Sequence, residues 1–287
     1  MSTLKIDDDL GRTLLFGRAP RRIVSLVPSD TYSVIALGAG DRLVGRTTYC
    51  EHGEGVATVG GTKDADPAKI LALEPDLVIA NQEENVRRTL EALAGKAPVL
   101  VSLPRTVEQG IAHLARLARI LETGPQGNAV VARGYQLVAK RAELARVFVP
   151  IWLDPLMTLN ADTFGSDVLA RAGLANAFSD RLRLYPLAAD LGKGDAIEAT
   201  GRDVRYPRLT LDELRARDRV SKIDAIVLPD EPYAFSAADE AALQAALPDA
   251  RVVRTPGKDL FWYGAWTIDA MPRVIALAES IRAHEVS

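Results

Sequence analysis

A thiol, a carboxylate and an imidazole occur together in the stretch Tyr49-Cys50-Glu51-His52. Cysteine and histidine side chains bind transition metals, so Cys50 and His52 are candidate metal ligands. Three carboxylates elsewhere in the chain could complete such a coordination shell: Glu83, Glu84 and Glu231. The alternative is a buried cysteine beside a polar surface histidine. Nucleophilic catalysis by Cys50 is less favoured, because the stretch lacks the glycine-rich or helix-N-terminal setting that activates a thiol.

Two acidic loops follow apolar stretches that read as strands. Glu83-Glu84-Asn85 comes after residues 76–80, and Asp230-Glu231 comes after residues 223–228. Open α/β sheets bind ligands beyond the carboxyl ends of their strands, so we expect these groups to converge on a ligand site. A carboxylate pair could perform acid/base chemistry, or the same anions could stabilise helix N-termini. Glu83 and Glu231 are the stronger site candidates, and Glu84 and Asn85 fit a capping role equally well.

Aromatic residues make up only 6% of the chain, so their positions are informative. Several lie in the second half, mostly in predicted loops after strands: Trp152, Tyr206, Tyr233, Phe261, Trp262, Tyr263 and Trp266. Core packing explains some of them. The run 261–263, however, has no strand or helix spacing that would bury all three rings on one side. A wall that stacks on a flat, bulky ligand is the alternative interpretation.

Helices alternate with apolar strands along both halves of the chain, which predicts an α/β fold with mainly parallel sheets. The order of helix, apolar strand, acidic loop, helix and strand occurs twice, which indicates two Rossmann-like lobes related by duplication. Residues 127–146 contain no proline and predict a single long rigid helix joining the lobes. The predicted organisation is an N-terminal lobe at 1–122, a connecting helix at 123–147 and a C-terminal lobe at 148–287. Residues 184–205 are predicted to form a long loop.

Composition and charge exclude several classes of protein. Lys and Arg number 35 against 38 Asp and Glu, a net charge of −3 that offers no basic excess for a nucleic-acid backbone. One cysteine excludes an intramolecular disulfide, and no apolar run approaches the ~20 residues that span a bilayer. The N-terminal residues show no signal segment, which predicts a cytoplasmic protein if the sequence is complete. His113 and His284 are expected to be ordinary surface or boundary residues of helices.

Several linked motifs resemble those of binding proteins for cobalamin and iron-siderophore uptake. They are DDLGR at 8–12, PRRIVSLVPS at 20–29, LGAGDRLVG at 37–45, VGG at 59–61 and ILALEPDLVIA at 70–80. A narrower likeness, to the branch called helical backbone metal receptors, rests on residues 49–52, 81–85, 230–233 and 262–264. The resemblance covers nearly the whole chain and implies two α/β lobes joined by one rigid helix.

The resemblance also implies a ligand site. The four stretches of the narrower likeness would face one another across a cleft between the lobes, with Tyr49 and Tyr206 at positions that flank a corrinoid. Together with the residue-level candidates, the predicted ligand-binding set is Tyr49, Cys50, His52, Glu83, Glu84, Asn85, Trp152, Tyr206, Glu231, Tyr233, Trp262 and Tyr263. Thr62 stands where cobalamin-binding relatives have a tryptophan.

By this resemblance the chain is a solute-binding protein rather than an enzyme. It would capture a metal chelate, a corrinoid or a siderophore without a covalently held cofactor, act as a monomer, and serve an ABC permease and ATPase in the periplasm. Transport relatives carry a surface glutamate on each lobe that pairs with the permease; the aligned residues here are Ala68 and Asp212, so Asp212 is the candidate docking residue. The alternative is a cytoplasmic sensor, carrier or enzyme that reuses the fold, with Cys50, His52 and a glutamate as its metal-binding or reactive group.

Overall fold

A computed structural model describes residues 3–283 of the chain. These residues form two compact units. The first unit comprises the residues up to Leu137 together with Trp262–Ile268, and the second comprises Val138–Phe261 and the residues from Asp269 onward. His284, expected on a helix, lies outside the described residues.

The first unit contains a parallel sheet of five strands. Its strands are β3 (Ile23–Ser25), β4 (Leu43–Arg46), β5 (Ala57–Thr58), β6 (Leu77–Asn81) and β7 (Val99–Ser102). They lie in the order β5-β4-β3-β6-β7, so the chain moves outward from β3 first to one side and then to the other. A hairpin of β1 (Leu4–Asp7) and β2 (Thr13–Phe16) precedes the sheet. The helices are α1 (Pro28–Ala36), α2 (Pro67–Ala72), α3 (Arg87–Leu93), α4 (Val107–Ile120) and α5 (Gly124–Tyr135), with a 3-10 turn at Gly40–Arg42.

The second unit contains a parallel sheet of four strands. These are β8 (Ala145–Phe148), β11 (Leu174–Asn176), β12 (Ala225–Pro229) and β13 (Arg251–Thr255), in the order β11-β8-β12-β13. An antiparallel hairpin of β9 (Trp152–Leu153) and β10 (Leu156–Met157) follows β8. The helices are α6 (Phe164–Ala172), α7 (Leu187–Asp190), α8 (Leu211–Val220), α9 (Ala237–Ala246), α10 (Gly257–Phe261) and α11 (Ala265–Ala283). The predicted α/β class with two Rossmann-like lobes and mainly parallel sheets is confirmed.

Local sequence explains where these elements begin. Every residue of β6 and β12 is buried, as expected for central strands of a sheet covered on both faces. Asp66 caps α2 by accepting from the backbone N–H groups of Ala68 and Lys69, and Pro67 occupies the first turn. The capping box predicted from Thr210 and Glu213 is present at the start of α8.

The connecting helix predicted over 123–147 is wrong in its extent. Helix α5 ends at Tyr135, and residues 145–147 belong to strand β8. Val147 pairs with Asn176 on one side and with Ala225 on the other, so ladder hydrogen bonds compete with helix formation there. Valine and phenylalanine also favour a strand. The apolar residues at 145–148 therefore belong to a buried strand, although their pattern also fits one face of a helix.

Candidate functional site

The candidate site residues of the first unit lie in loops that follow its strands. Residues 47–53 come after the carboxyl end of β4, and residues 82–86 come after that of β6. Strand β3 lies between β4 and β6 in the sheet, and the direction of chain progression reverses at this place. Ligands of open α/β sheets bind outside the carboxyl ends of the strands at such a reversal. The fold thus brings these two loops to the edge of the sheet where a ligand is expected.

Four rings of the first unit form a group that we call the aromatic cluster: Tyr32, His52, Trp262 and Trp266. The ring centroids of Tyr32 and Trp266 lie 5.1 Å apart and those of Trp262 and Trp266 5.4 Å apart, both pairs edge to face. The His52 ring lies 4.9 Å from that of Tyr32. All four side chains are half-buried. Edge-to-face packing fixes the rings relative to one another while leaving part of each accessible.

Tyr49 carries the most accessible ring among the predicted ligand-binding residues of the first unit. Its side chain is 66% exposed. The ring lies so close to Gly61 that a Cβ atom at that position would come within 2.8 Å of it. Glycine at 61 therefore lets the tyrosine ring rest on the backbone that follows β5, and its other face remains open to solvent.

The prediction that Cys50 contacts a ligand or a metal is corrected by its surroundings. Cys50 is buried, and its Sγ atom lies 3.1 Å from Oγ1 of Thr31 and 3.2 Å from Oγ1 of Thr47. The thiol therefore packs in the interior between α1 and the end of β4. Among residues 3–283, no group of three or more His, Cys, Asp and Glu side chains is placed to hold a metal ion. The proposed pairing of Cys50 with His52 and a glutamate is not assembled.

Asn85 is also committed to the fold. Its side-chain oxygen accepts from the backbone N–H of Asn81, and its amide donates to the carbonyl oxygens of Leu26 and Thr62, each at 2.8 to 3.0 Å. These bonds join the segments that follow β3, β5 and β6. Asn85 is buried and both N–H donors of its amide bond within the protein, so the side chain holds the loops of the site together.

The two neighbouring glutamates differ in exposure. Glu83 is exposed, and its backbone carbonyl accepts a hydrogen bond from Nζ of Lys63. Glu84 is half-buried. The backbone N–H groups of both residues donate to Oδ1 of Asn81, at 2.7 and 3.2 Å. The loop after β6 is thus fixed by Asn81, and the carboxylate of Glu83 faces solvent at the predicted edge.

A buried polar network lies beneath the aromatic cluster. The hydroxyl of Tyr263 donates to Oδ2 of Asp30 at 2.8 Å and lies 2.9 Å from Oγ of Ser102. The amide of Asn81 donates to the same hydroxyl at 3.3 Å. Nε2 of His113 lies 2.9 Å from the other carboxylate oxygen of Asp30. All five side chains are buried. We call this set the Asp30 network.

The Asp30 network corrects two expectations. His113 was expected at the surface or a boundary, but it is buried in the network. Tyr263 was expected to contact a ligand, but its hydroxyl is bonded within the protein. Burial raises the pKa of Tyr263 well above its ordinary value, and the negative charges of Asp30 and Glu84 add to the effect. The neutral hydroxyl therefore persists as a hydrogen-bond donor and fixes the backbone beside Trp262.

The second unit has its own group of rings after its strands. The ring of Tyr233 lies 5.1 Å from that of Trp152 and 4.8 Å from that of Phe235. Trp152 is 43% exposed, and its Nε1 donates to the carbonyl of Asp154 at 3.0 Å. Partial burial and the neighbouring carboxylate of Asp239 raise the pKa of Tyr233. The structure thus joins two of the predicted residues, Trp152 and Tyr233, in one ring group.

The remaining predicted residues of the second unit lie in separate loops. Tyr206 is half-buried, with the guanidinium carbon of Arg205 5.5 Å from its ring centroid. Glu231 is half-buried after β12 and packs closely against Gly257, where a Cβ atom would lie 2.4 Å from the glutamate Cγ. Asp212, on α8, has a side chain that is 92% exposed and pairs with Arg215 at 2.9 Å.

Sequence reasoning misses one ring residue of the cluster, Tyr32, and assigns two others, Trp262 and Trp266, to the wrong lobe. Tyr32 lies on α1, and its partial exposure is set by tertiary packing. Trp262 and Trp266 were placed in the second lobe because they follow β13 in sequence. They belong to the first unit, where Gly264 adopts a φ of 76° and has room for no Cβ atom because Oγ of Ser33 would lie 2.5 Å away. The feature of the sequence that could have indicated a change of direction here is Gly264, which directly follows three aromatic residues.

Comparisons with known proteins agree with this architecture. The family model described as periplasmic binding protein matches residues 23–189, more than half of the chain. The vitamin B12-binding protein of Yersinia pestis (strain Pestoides F) is 30% identical over 179 residues, which are 59% of this chain and 64% of the relative. The vitamin B12-binding protein of Yersinia pseudotuberculosis serotype O:1b (strain IP 31758) matches to the same extent. The chain therefore matches less than two thirds of the length of these relatives.

Solved structures share the fold over almost their whole length. The periplasmic vitamin B12-binding protein of Vibrio cholerae superposes with a TM-score of 0.68 at 20% identity, covering 92% of this chain and 98% of the other. The periplasmic heme-binding protein of Roseiflexus sp. RS-1 superposes with a TM-score of 0.69 at 18% identity, covering 93% and 99%. At these identities the likeness defines the fold.

Two units, each built around a parallel sheet, are the architecture that this chain shares with these solved binding proteins. The chain belongs to the periplasmic binding protein family. The resemblance to binding proteins of the cobalamin and siderophore type, stated from the motifs, is thereby confirmed at the level of the family. Within residues 3–283, no helix is both long and apolar enough to cross a bilayer.

Proposed function

We propose that this protein binds a compact ring compound that carries a metal, a corrinoid or another metal chelate such as a siderophore. The observation that carries the proposal is the aromatic cluster, with Tyr49 exposed in the same unit at the edge of the sheet where ligands bind. Curated relatives are vitamin B12-binding proteins, and similar structures include a heme-binding protein. Both of these ligands are large, flat metal-containing rings.

The physical basis is the match between ring surfaces. Half-buried aromatic side chains bury further apolar area when a flat ligand stacks on them, and they lose little side-chain entropy because their neighbours already hold them. Tyr49 and Trp262 supply such surface in the first unit, and Trp152, Tyr206 and Tyr233 supply it in the second. Glu83, Glu231 and His52 are proposed to orient the polar edge of the ligand.

Tryptophan fluorescence tests this assignment directly, because the chain has only three tryptophans and all three are in the ring groups described above. Cyanocobalamin and iron protoporphyrin IX absorb where tryptophan emits, so binding quenches emission. We expect saturable quenching by at least one of them. Trp262→Ala should weaken that binding by about 10-fold or more, since burial of an indole face contributes on the order of 1.5–3 kcal/mol.

The matched control is Tyr135→Ala, which removes another exposed ring, at the end of α5, outside the proposed site. It should bind with unchanged affinity. Equal affinity of Trp262→Ala and the unaltered protein, with both variants showing a folded circular dichroism spectrum, would exclude the aromatic cluster as the ligand site.

We further propose that the protein delivers its ligand to an ABC permease and ATPase in the periplasm, as family members do. Asp212 is the candidate docking residue because its carboxylate is almost fully exposed on α8. Asp212→Ala should lower the ATP hydrolysis that the loaded protein stimulates in the reconstituted transporter. Asp249→Ala, which removes another exposed carboxylate of the second unit, should leave that rate unchanged. Identical stimulation by both variants would remove Asp212 from the docking surface.

A further inference from the structure

One arginine side chain, that of Arg46 at the end of β4, is hydrogen-bonded to the loop that follows it. Nε of Arg46 donates to the carbonyl of Gly53 at 2.9 Å. Nη1 donates to the carbonyl of Thr47 at 3.3 Å and to that of Cys50. The three acceptors are the first, the fourth and the last residue of the loop 47–53. A single guanidinium therefore holds this loop along its whole length.

The chemistry of the guanidinium suits this role. Its N–H donors lie in one rigid plane, so bonds to several carbonyls fix those carbonyls relative to one another. The bonds are charge-assisted and therefore stronger than bonds between neutral groups. Gly53 has a φ of 83°, which glycine tolerates, and a Cβ atom there would lie 3.3 Å from Cδ of Arg46. The last residue of the loop thus packs directly on the arginine side chain.

The two halves of the loop are attached in different ways. In the first half, the N–H of Thr48 donates to the carbonyl of Gly60 at 2.9 Å, and the side chain of Cys50 is buried. In the second half, the carbonyl of Gly53 joins the loop to Arg46 on β4. Arg46 therefore ties the second half of the loop to the sheet.

Two candidate ligand-binding residues, Tyr49 and His52, lie on this loop. Each of them stands in sequence between two of the carbonyls that Arg46 holds. The ring of Tyr49 is exposed, and that of His52 lies 4.9 Å from the ring of Tyr32 in the aromatic cluster. Within residues 3–283, Nε2 of His52 is buried without a hydrogen-bond partner. The place of the imidazole therefore depends on ring packing and on the backbone that Arg46 holds.

We infer that Arg46 is a positioning residue of the ligand site, which holds the loop 47–53 so that the rings of Tyr49 and His52 are in place before a ring compound binds. The inference rests on the proposed function, because it assigns the residue that prepares part of that site. Ordering a loop in advance lowers the entropy cost of binding. Removing the guanidinium should therefore weaken binding only while the two rings that it places are present.

A double-mutant cycle tests this dependence. Fluorescence titrations use cyanocobalamin, iron protoporphyrin IX and a ferric hydroxamate siderophore, and the cycle is measured with each compound that binds the unaltered protein. We expect R46Q to weaken binding by about 10-fold. In the Y49A/H52A background, adding R46Q should change the affinity by less than about 2-fold, because the residues through which Arg46 acts are gone.

The matched control is R42Q. Arg42 is half-buried like Arg46 and precedes β4 directly. Its Nη1 donates to the carbonyls of Leu121 and Pro20, at 2.7 and 3.4 Å, which lie outside the loop. R42Q thus removes bonds of the same kind from the same unit and should leave the affinity unchanged.

Hydrogen exchange without ligand gives a second readout. The N–H groups of Thr48 and Cys50 are hydrogen-bonded to backbone carbonyls in the folded protein. In R46Q they should exchange about 10-fold faster, whereas the amides of β6 should keep their rates. R46K keeps the charge but loses the planar fork, and should show smaller changes in exchange and affinity. R46K also carries the same cycle if R46Q does not fold.

The outcomes are distinct. A loss of affinity that needs Tyr49 and His52, together with faster exchange confined to the loop, supports the inference. Unchanged affinity of R46Q, an equal loss in the Y49A/H52A background, or an equal loss in R42Q overturns it while the proposed function stands. Failure of all three compounds to bind the unaltered protein overturns the proposed function and this inference with it.

Discussion

Tyr263 shows how a single hydroxyl can position residues that contact a ligand. It bonds to Asp30 and Ser102 and follows Trp262 directly. A buried polar group contributes to a unique structure when its partners are all present, and it costs stability when one partner is removed. The Asp30 network thus holds the tryptophan segment against the first unit at a defined place.

Removing that hydroxyl should therefore destabilise the protein. Tyr263→Phe leaves the ring in place but deprives Asp30 of a donor, and we expect the free energy of unfolding to fall by about 1–3 kcal/mol. Urea denaturation measures this change. Tyr135→Phe, at an exposed ring, should stay within about 0.5 kcal/mol of the unaltered protein. An unchanged midpoint for Tyr263→Phe would show that the hydroxyl does not hold the segment.

The raised pKa of Tyr263 adds a dependence on pH. Above about pH 10 the tyrosine ionises in the unfolded chain but stays protonated in the folded protein. The free energy of unfolding therefore decreases as pH rises. Tyr263→Phe has no such proton. The difference in unfolding free energy between the two proteins should shrink by up to about 1.4 kcal/mol per pH unit above pH 10. A difference that stays constant from pH 8 to pH 11 would contradict a neutral buried hydroxyl.

At this scale the sequence identified where polar side chains occur but not which way they point. The loop 49–52 was predicted as a site, yet Tyr49 is exposed and Cys50 is buried one residue later. Asn85 and Tyr263 were likewise chosen by position and turned out to hold loops together. Orientation depends on partners far along the chain, such as Leu26 for Asn85 and Asp30 for Tyr263. No local pattern contains those partners.

At the scale of elements, central strands were predictable and the connecting helix was not. Strands such as β6 and β12 are short apolar runs bounded by turn residues, a pattern that depends only on burial from both sides. Helix α5 ends at Tyr135, and from Ala145 the chain pairs with strands of the second sheet, in competition with a helix continued to residue 147. The helix propensity of a short stretch of sequence does not include that competition, because the partner strand β11 lies about thirty residues further along the chain.

Close packing of α5 on α4 gives a testable requirement for glycine. A Cβ atom at Gly134 would lie 2.7 Å from Cδ1 of Ile111. Gly134→Ala should therefore destabilise the protein by about 1–3 kcal/mol, although alanine favours a helix. Gly17→Ala, where a Cβ atom meets nothing within 4 Å, should be neutral or slightly stabilising. Thermal denaturation of both variants checks this, and a stabilised Gly134→Ala would show that the two helices can separate at little cost.

At the scale of the whole molecule, family membership was predictable because its motifs are local and linked along the chain. The division of the chain into two units was harder to predict from the sequence. Residues Trp262–Ile268 join the first unit although they follow the last strand of the second sheet. That return places Trp266 beside Tyr32 and His52 and Trp262 against Trp266, and so creates the cluster on which the proposed function rests.

The most direct test of the central claim is calorimetric titration of the purified protein with cyanocobalamin, iron protoporphyrin IX and a ferric hydroxamate siderophore. We predict that at least one binds at a ratio of one per chain with a dissociation constant in the micromolar range or below, about 8 kcal/mol or more of binding free energy. Heat signals no larger than dilution for all three, at protein concentrations where a millimolar complex would be seen, would contradict a binding protein for metal-containing ring compounds.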